Sequence, residues 1–233
     1  MFSNRAPEVR GISLASAFSL LLALGLPASS EGAEENRVLS VIQKMESVFK
    51  TLEDYSCEVE QTFYRNGEKS EHYWFKFYFK KKKKIRVDFA HPHSSLTIFY
   101  TEGDGEATVL PLRFLPAIKF RLSTDNPIIH TPAGQWINQT DMGYFINFLF
   151  KNLEQVKQKD DEFYEDKDQI RFWLWAMDYI EEKNLEKYHI FVSRHYWLPT
   201  RIERYDLGGK PLEVSIIQDY MINAHLSDKL FVP

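Results

Sequence analysis

Two short patterns in the sequence are of residue types that can carry chemistry. Ser47 and Lys50 have the S-x-x-K spacing of the serine enzymes that recognise penicillin-like substrates. Those enzymes also need S-D-N and K-T-G elements, and neither occurs in this chain. A four-residue match on the surface of a helix arises easily by chance. We therefore expect no nucleophilic catalysis from this pair.

A metal site is the second chemical option, because His91 and His93 flank Pro92 and could present two imidazoles on one side of an extended segment. A bound metal needs a third or fourth ligand, and no other histidine or cysteine lies near them in sequence. The carboxylates of residues 160–168 stand in a charged stretch with no apolar wall to raise a pKa. We predict no metal, no cofactor and no catalytic residue, and hence a protein that is not an enzyme.

The composition excludes several classes of protein and leaves one question open. The chain has 233 residues, 44% of them hydrophobic, which is too many for an intrinsically disordered protein. Its net charge of −4 gives no reason to expect nucleic acid as a partner. Aromatic residues are numerous, with 18 Phe, 12 Tyr and 5 Trp. The role of so many rings depends on where they lie in the predicted strands.

The N-terminal segment is typical of a secretory signal peptide. Arg5 and Arg10 precede an uncharged stretch over 11–26, and small residues follow at Ala28 and Ser30. The alternative is an uncleaved membrane anchor, but the apolar stretch is shorter than the ~20 residues that a spanning helix prefers. We predict a signal peptide over residues 1–30, export to the periplasm, and a single domain over 31–233.

The only cysteine, Cys57, cannot form a disulfide within the chain and lies far from the cleavage region. It is therefore not the lipid-carrying cysteine of a lipoprotein signal. The exported domain must be held together by its core.

The spacing of apolar residues predicts an antiparallel sheet with a few helices. Helical spacing over 36–53 and over 141–153 predicts two helices, with Asp141 as the N-cap of the second. Alternation of apolar and polar residues predicts strands over 55–64, 72–80, 84–89, 95–100, 107–112, 169–175, 187–194, 198–205 and 211–220. The polar stretch 157–168 is expected to be an exposed loop or hairpin. The fold class is thus α+β, with helices packed on one face of the sheet.

One predicted strand is unusually aromatic. Tyr73, Phe75, Phe77 and Phe79 share a face, because side chains in a strand alternate with a period of two. Lysines 76 and 80 with Arg86 and Asp88 occupy the opposite face and are expected to meet water. The apolar face is either the lining of a cavity or an ordinary packed core. The residues predicted to line a cavity are Val59, Phe63, Tyr73, Phe75, Phe77, Phe79, Val87 and Phe89.

The order of these elements resembles the periplasmic lipoprotein-carrier superfamily of LolA-, LolB- and RseB-like proteins. The resemblance is carried by the first helix ending in L-E-D-Y-S at 52–56, the strands C-E-V-E-Q-T-F at 57–63 and 74–79, His91-Pro92, and W-L-P-T-R-I-E-R-Y-D at 197–206. The stretch Q-W-I at 135–137 is similar to a less-characterised outer-membrane lipoprotein-sorting branch. LolA itself has an arginine followed by a proline at the turn after the second strand, and Lys81 and Lys82 stand there in this chain.

The resemblance implies an unclosed antiparallel β-barrel, a half-barrel, whose helices cover its concave face and whose interior receives acyl chains. It implies a non-enzymatic carrier of acyl chains, lipoproteins or another hydrophobic ligand, with helices 36–53 and 141–153 shifting to admit it. The alternative is an RseB-like interaction or sensor module that an envelope protein reads. Transient membrane contact is a further expectation, since the basic residues 80–84 are either a solvated surface or a site for anionic lipid head groups.

Overall fold

The computed structural model of the chain describes residues 30–153, 163–178 and 183–233. The predicted signal peptide up to residue 29, and residues 157–162 of the predicted polar loop, lie outside these ranges. Among the described residues, no helix is both long and apolar enough to cross a membrane.

Two α-helices and eleven strands make up the fold within these ranges. The helices are α1 (Ser30–Thr51) and α2 (Met142–Leu153). The strands are β1 (Asp54–Arg65), β2 (Glu68–Lys80), β3 (Lys84–His91), β4 (Thr97–Thr101), β5 (Glu106–Leu110), β6 (Phe120–Ser123), β7 (Phe163–Glu165), β8 (Gln169–Met177), β9 (Leu185–Ser193), β10 (Pro199–Tyr205) and β11 (Pro211–Ile222). Short 3₁₀ helices occur at Pro127–Ile129, Ile137–Gln139 and Asp228–Phe231.

All eleven strands form one antiparallel sheet in the order β6-β5-β4-β3-β2-β1-β11-β10-β9-β8-β7. The first strand, β1, and the last, β11, pair at the centre of the sheet. Strands β2 to β6 continue the sheet on the side of β1, and strands β10 to β7 continue it on the side of β11. The edge strands β6 and β7 do not pair with each other, and the sheet stays open. The predicted fold, an α+β unclosed antiparallel barrel with helices, is confirmed.

The strand register brings the aromatic residues of β2 onto the concave face together with their neighbours. Phe75 is opposite Val59 on β1 and Phe89 on β3, and Phe77 is opposite Cys57 and Val87 in the same way. The two-residue alternation of the sequence therefore sets which face is apolar.

The two helices cover one half of the concave face. Their apolar sides pack on β8 and β9, where the fully buried side chains are Ile42, Met45, Ile146, Leu149, Phe172, Tyr188 and Ile190. Asp141 caps α2 as predicted, because its Oδ1 accepts a hydrogen bond from the Tyr144 N–H at 3.1 Å. A Cβ at Gly143 would lie 2.5 Å from the Phe49 ring, so a glycine at this position lets the two helices approach closely.

Two features of the sheet differ from the sequence prediction. Strand β6 was not predicted, because four residues at an edge are too short to show an alternation. Strand β7 lies in the stretch 157–168 that was expected to be a loop or hairpin, and it forms a hairpin with β8. Asp88 was expected to meet water but is buried, with its Oδ1 accepting from Arg86 Nε at 2.9 Å and Thr97 Oγ1 at 2.8 Å. The C-terminal segment covers this part of the outer face, where the Leu230 carbonyl accepts from Arg86 Nη1 at 3.0 Å.

The acid stability of the sheet should depend on Glu203 of β10. Although burial raises the pKa of Glu203, hydrogen bonds from His189, Arg201 and Tyr205 outweigh it and lower the pKa to about 2. A carboxylate with a lowered pKa stabilises the fold above its unfolded-state pKa of about 4.3, and this contribution is lost as the pH falls toward 2. We expect the free energy of unfolding to fall more steeply in the wild type than in Glu203→Gln between pH 5 and pH 3. Urea titrations at the two pH values measure this, and equal losses in both proteins would contradict it.

Candidate functional site

A cavity of ≈ 440 Å³ lies on the concave face of the sheet, beside the first turn of α2 and away from α1. Its size falls within the roughly 300–1,000 Å³ of small-molecule sites. The floor comes from β1–β4, β10 and β11, and the roof from residues 128–141 together with Met142 and Phe145 of α2. Its apolar lining consists of Cys57, Val59, Tyr73, Phe75, Phe77, Val87, Phe89, Leu96, Ile98, Pro111, Ile128, Ile129, Pro132, Ile137, Met142, Phe145, Ile202 and Ile217.

Six of the eight residues predicted as lining lie at this cavity, namely Val59, Tyr73, Phe75, Phe77, Val87 and Phe89. The other two lie beyond its ends. Phe63 is buried edge-on against Tyr73, with ring centroids 6.0 Å apart, near the β1–β2 turn. Phe79 lies in a closed end of the sheet, against Phe49 at 5.7 Å and Tyr55 at 5.1 Å.

The closed end is an ordinary packed core. Tyr55 is fully buried, stacks on Phe79, and its hydroxyl accepts a hydrogen bond from the Met142 N–H at 3.2 Å. The first turn of α2 is thus tied to β1. Both alternatives for the aromatic face therefore occur, a filled core around Phe79 and a cavity around Phe75.

The roof is an irregular stretch, residues 126–141, which we call the cover segment. Two isoleucines on its 3₁₀ helices, Ile129 and Ile137, are buried against the sheet. Side chains of the segment bond its own backbone: Asn126 Oδ1 accepts from the Ile128 N–H at 3.0 Å, and Gln135 Nε2 donates to the Gln139 carbonyl at 2.7 Å. The segment was not predicted, because it has no regular period in the sequence to mark it.

The lysines of the β2–β3 turn bind other parts of the chain. Lys83 Nζ lies 3.1 Å from Oδ2 of the buried Asp141, where the cover segment meets α2. Lys81 pairs with Glu53 at 2.9 Å, just after α1. Lys80 and Lys84 both pair with Asp228, at 3.1 and 2.9 Å. Much of the basic charge that was expected to form a solvated surface thus fastens three segments to one turn.

A polar network forms the floor at the far end of the cavity from this turn. Glu213 accepts hydrogen bonds from Gln61 Nε2 at 2.8 Å, from Ser215 Oγ at 2.9 Å and from Arg204 Nη1 at 2.7 Å. The Arg204 guanidinium also makes a bidentate contact with Glu186, at 2.9 and 3.0 Å. Gln61, Glu213 and Ser215 line the cavity itself. In the sequence, the only hint of this network was Gln61, a polar residue on the same strand face as Val59. Its partners lie more than a hundred residues away in sequence.

The residue pairs considered for catalysis lie apart from this cavity or lack partners for chemistry. Ser47 is exposed on α1, and Lys50 Nζ is 2.7 Å from Glu46 in an ordinary helix-surface ion pair. The His91 ring lies 5.7 Å from that of His72, whereas His93 lines the cavity. No three His, Cys, Asp or Glu side chains in the described ranges are grouped so that they could hold a metal ion.

No protein-family model matches the sequence, and no curated protein shows significant sequence similarity to it. Solved structures do resemble the fold. An uncharacterized conserved protein from Thermus thermophilus is 13% identical, with a TM-score of 0.50 over 84% of this chain and 94% of that one. An outer membrane lipoprotein-sorting protein domain from Vibrio parahaemolyticus is also 13% identical, with a TM-score of 0.43 over 84% and 97%. The MucA/MucB complex of Pseudomonas aeruginosa gives 9% identity and a TM-score of 0.46 over 86% and 61%. These neighbours include the lipoprotein-sorting class to which the sequence was likened, and the likeness concerns the fold.

Replacing Arg204 by methionine should destabilise the protein strongly. The carboxylates of Glu186 and Glu213 are both nearly inaccessible to water, and the substitution removes the guanidinium that each of them contacts. Breaking a buried ion pair by removing one partner costs about 3–5 kcal/mol. Urea denaturation of Arg204→Met at pH 7 measures the loss. The control is Arg194→Met, whose ion pair with Glu165 is about a third exposed on both sides, and for which we expect about 1 kcal/mol or less; similar losses in both would contradict the prediction.

Cys57 should be unreactive toward charged thiol reagents in the folded protein. The side chain is 1% exposed, and burial raises the pKa of the thiol, so little thiolate forms near neutral pH. We expect no reaction with Ellman's reagent in buffer, and one thiol per chain in denaturant. Rapid reaction under native conditions would show that the cavity floor is open to solvent.

Proposed function

We propose that this protein is a non-enzymatic periplasmic binding protein that carries an acyl chain, free or on a lipoprotein, or a comparable hydrophobic ligand. The observation that carries the proposal is the apolar cavity of ≈ 440 Å³ between an aromatic sheet and a cover of irregular chain. A hydrocarbon chain gains about 0.8 kcal/mol for each methylene that leaves water, so such a cavity binds lipid without directional contacts. The periplasmic location rests on the predicted signal peptide.

The polar network gives the ligand an orientation in this proposal. Gln61, Glu213 and Ser215 border the cavity at one end, and the ring of Phe77 borders it toward the closed end. A hydrocarbon tail gains no binding free energy beside the polar groups and gains the most beside the aromatic rings. The tail therefore points toward the closed end, and the polar part of the ligand lies near the network or the rim.

Entry of the ligand is proposed to occur by movement of the cover segment rather than of helix α1. Helix α1 is buried against β8 and β9 and contributes no residue to the cavity lining. The cover segment is held to the sheet through Ile129 and Ile137, and the side-chain hydrogen bonds of Asn126 and Gln135 described above stay within it. Lifting such a segment exposes two buried isoleucines and, at its junction with α2, the buried Asp141, whereas lifting α1 would open a core.

A matched pair of substitutions on β11 tests the proposal. Ile217 lines the cavity, and Ile216 lies on the opposite face of the sheet. We expect Ile217→Trp to fill space that two or three methylenes would occupy and to weaken binding of a fluorescent fatty acid about tenfold or more. Ile216→Trp should bind as the wild type does. Fluorescence titration measures the two affinities, and a thermal melt of each variant shows that it is folded.

Mass spectrometry of the protein purified from a bacterial periplasm provides the second test. We expect a co-purified lipid in the wild type and less of it in Ile217→Trp. A protein that carries no lipid and binds no fatty acid would overturn the proposal. If the lipid-free protein, used as bait in a pull-down, recovered one envelope protein, that result would favour the sensor alternative instead.

A further inference from the structure

Exposed apolar side chains are concentrated in one loop at the edge of the cavity. From the connection after β5 into the first two residues of β6, residues 113–121 are all exposed, and we call this stretch the rim loop. Phe114 is 70% exposed, Phe120 54%, and Leu115 and Ile118 each 43%. Apolar residues exposed singly are ordinary, whereas four in nine consecutive residues mark an interaction surface.

The rim loop holds a defined conformation. The Leu115 N–H donates to the Leu112 carbonyl and the Ile118 N–H to the Leu115 carbonyl, both at 2.9 Å. At its base, the Arg113 N–H donates to the Ser95 carbonyl at 2.8 Å, which fastens the loop to the β3–β4 turn. The apolar side chains thus stand on two consecutive turns.

The charge of the rim loop is opposite to that of the chain. Lys119 and Arg121 are exposed, and the sequence contains no Asp or Glu between Glu106 and Asp125. Arg113 contacts the sheet instead, where its Nε donates to Thr97 Oγ1 at 3.1 Å and its Nη2 to the Phe89 carbonyl at 3.2 Å. The chain as a whole has a net charge of −4. Arg121 Nη1 lies 3.7 Å from Glu106, but its side chain is 78% exposed, so this contact leaves most of its charge to solvent.

The rim loop adjoins the cavity. Pro111, which lies just before it in the chain, lines the cavity, and so does Leu96 beside the Ser95 anchor. Ile128 of the cover segment lines the cavity while remaining 79% exposed. Apolar lining residues of the cavity thus lie at the base of the rim loop.

We infer that the rim loop docks on the surface of a membrane that contains anionic phospholipid. Apolar side chains flanked by basic residues, with no acidic residue among them, match a bilayer whose phosphate groups lie above its acyl chains. An exposed loop can enter that interface without a partner of complementary shape. The inference rests on the proposed function, because docking would bring the cavity to a membrane that contains acyl chains. Docking itself does not need a ligand in the cavity.

Vesicle flotation with the mature chain tests the inference. The probes are vesicles of phosphatidylcholine alone and of phosphatidylcholine mixed with phosphatidylglycerol, each at low and high salt. The apolar variant is Phe114→Ser with Ile118→Ser, and its control is Leu207→Ser with Val232→Ser, two residues of similar exposure elsewhere. The charge variant is Lys119→Gln with Arg121→Gln, and its control is Lys167→Gln with Lys229→Gln.

We expect the wild type and both controls to bind the vesicles with phosphatidylglycerol, and to bind more weakly at high salt. The charge variant should bind them about 25-fold more weakly, because each basic residue near an anionic surface is worth about fivefold. The apolar variant should lose binding while still binding fatty acid. Ile217→Trp should bind vesicles normally, so failure of the docking inference and failure of the proposed function give different results.

Two outcomes would overturn the inference. One is a wild type that does not float with the vesicles containing phosphatidylglycerol, or that floats no better than its apolar variant. The other is a dimer in sedimentation velocity that Phe114→Ser with Ile118→Ser dissociates, without vesicle binding. That result would assign the rim loop to a contact between two copies of the chain.

Discussion

Eleven strands present more concave surface than two helices can cover, and the rest of the architecture follows from this shortage. At about 4.8 Å between strands the sheet is about 48 Å across, whereas two helices side by side cover about 20 Å. Helices α1 and α2 lie together on β8 and β9, where each also buries an apolar side against the other. The half of the sheet built from β1–β5 must be covered by something else.

That half is covered in two ways, and the difference between them creates the cavity. Near the start of α2, Tyr55, Phe79 and Phe49 meet ring to ring and leave little space. Farther along the same strands the cover segment reaches the sheet through Ile129 and Ile137. Two isoleucines spaced eight residues apart fill less volume than a helix face would. The rings of Phe75 and Phe89 therefore keep an unfilled space in front of them, and that space is the basis of the proposed ligand site.

The sequence predicted the features that depend on local period. Alternation along β2 identified the aromatic face, because that pattern rests on residues close together in the chain. The unclosed barrel was implied by the resemblance of the order of elements to the lipoprotein-carrier superfamily. The position of the cavity depends on the cover segment, whose 3₁₀ turns follow no period. The network around Glu213 was missed for another reason, because Gln61 and Arg204 approach it from strands that only the folded sheet brings together. Asp88 was misplaced because a distant segment, around Leu230, covers its face of the sheet.

Because neighbouring strands are antiparallel, the two ends of this half-sheet carry different turns with different chemistry. At the β2–β3 turn, basic side chains face acidic partners from other segments: Lys81 meets Glu53 after α1, Lys83 meets Asp141 before α2, and Lys84 meets Asp228 near the C-terminus. These ion pairs hold together the end that is already filled by aromatic rings. At the other end the basic residues of the rim loop stand among apolar side chains that no other part of the described chain buries. Basic residues at one end of the half-barrel form ion pairs within the chain, whereas those of the rim loop at the other end are exposed to solvent. An acyl chain with its tail toward the filled end would therefore have its polar part near the end that we propose docks on a membrane.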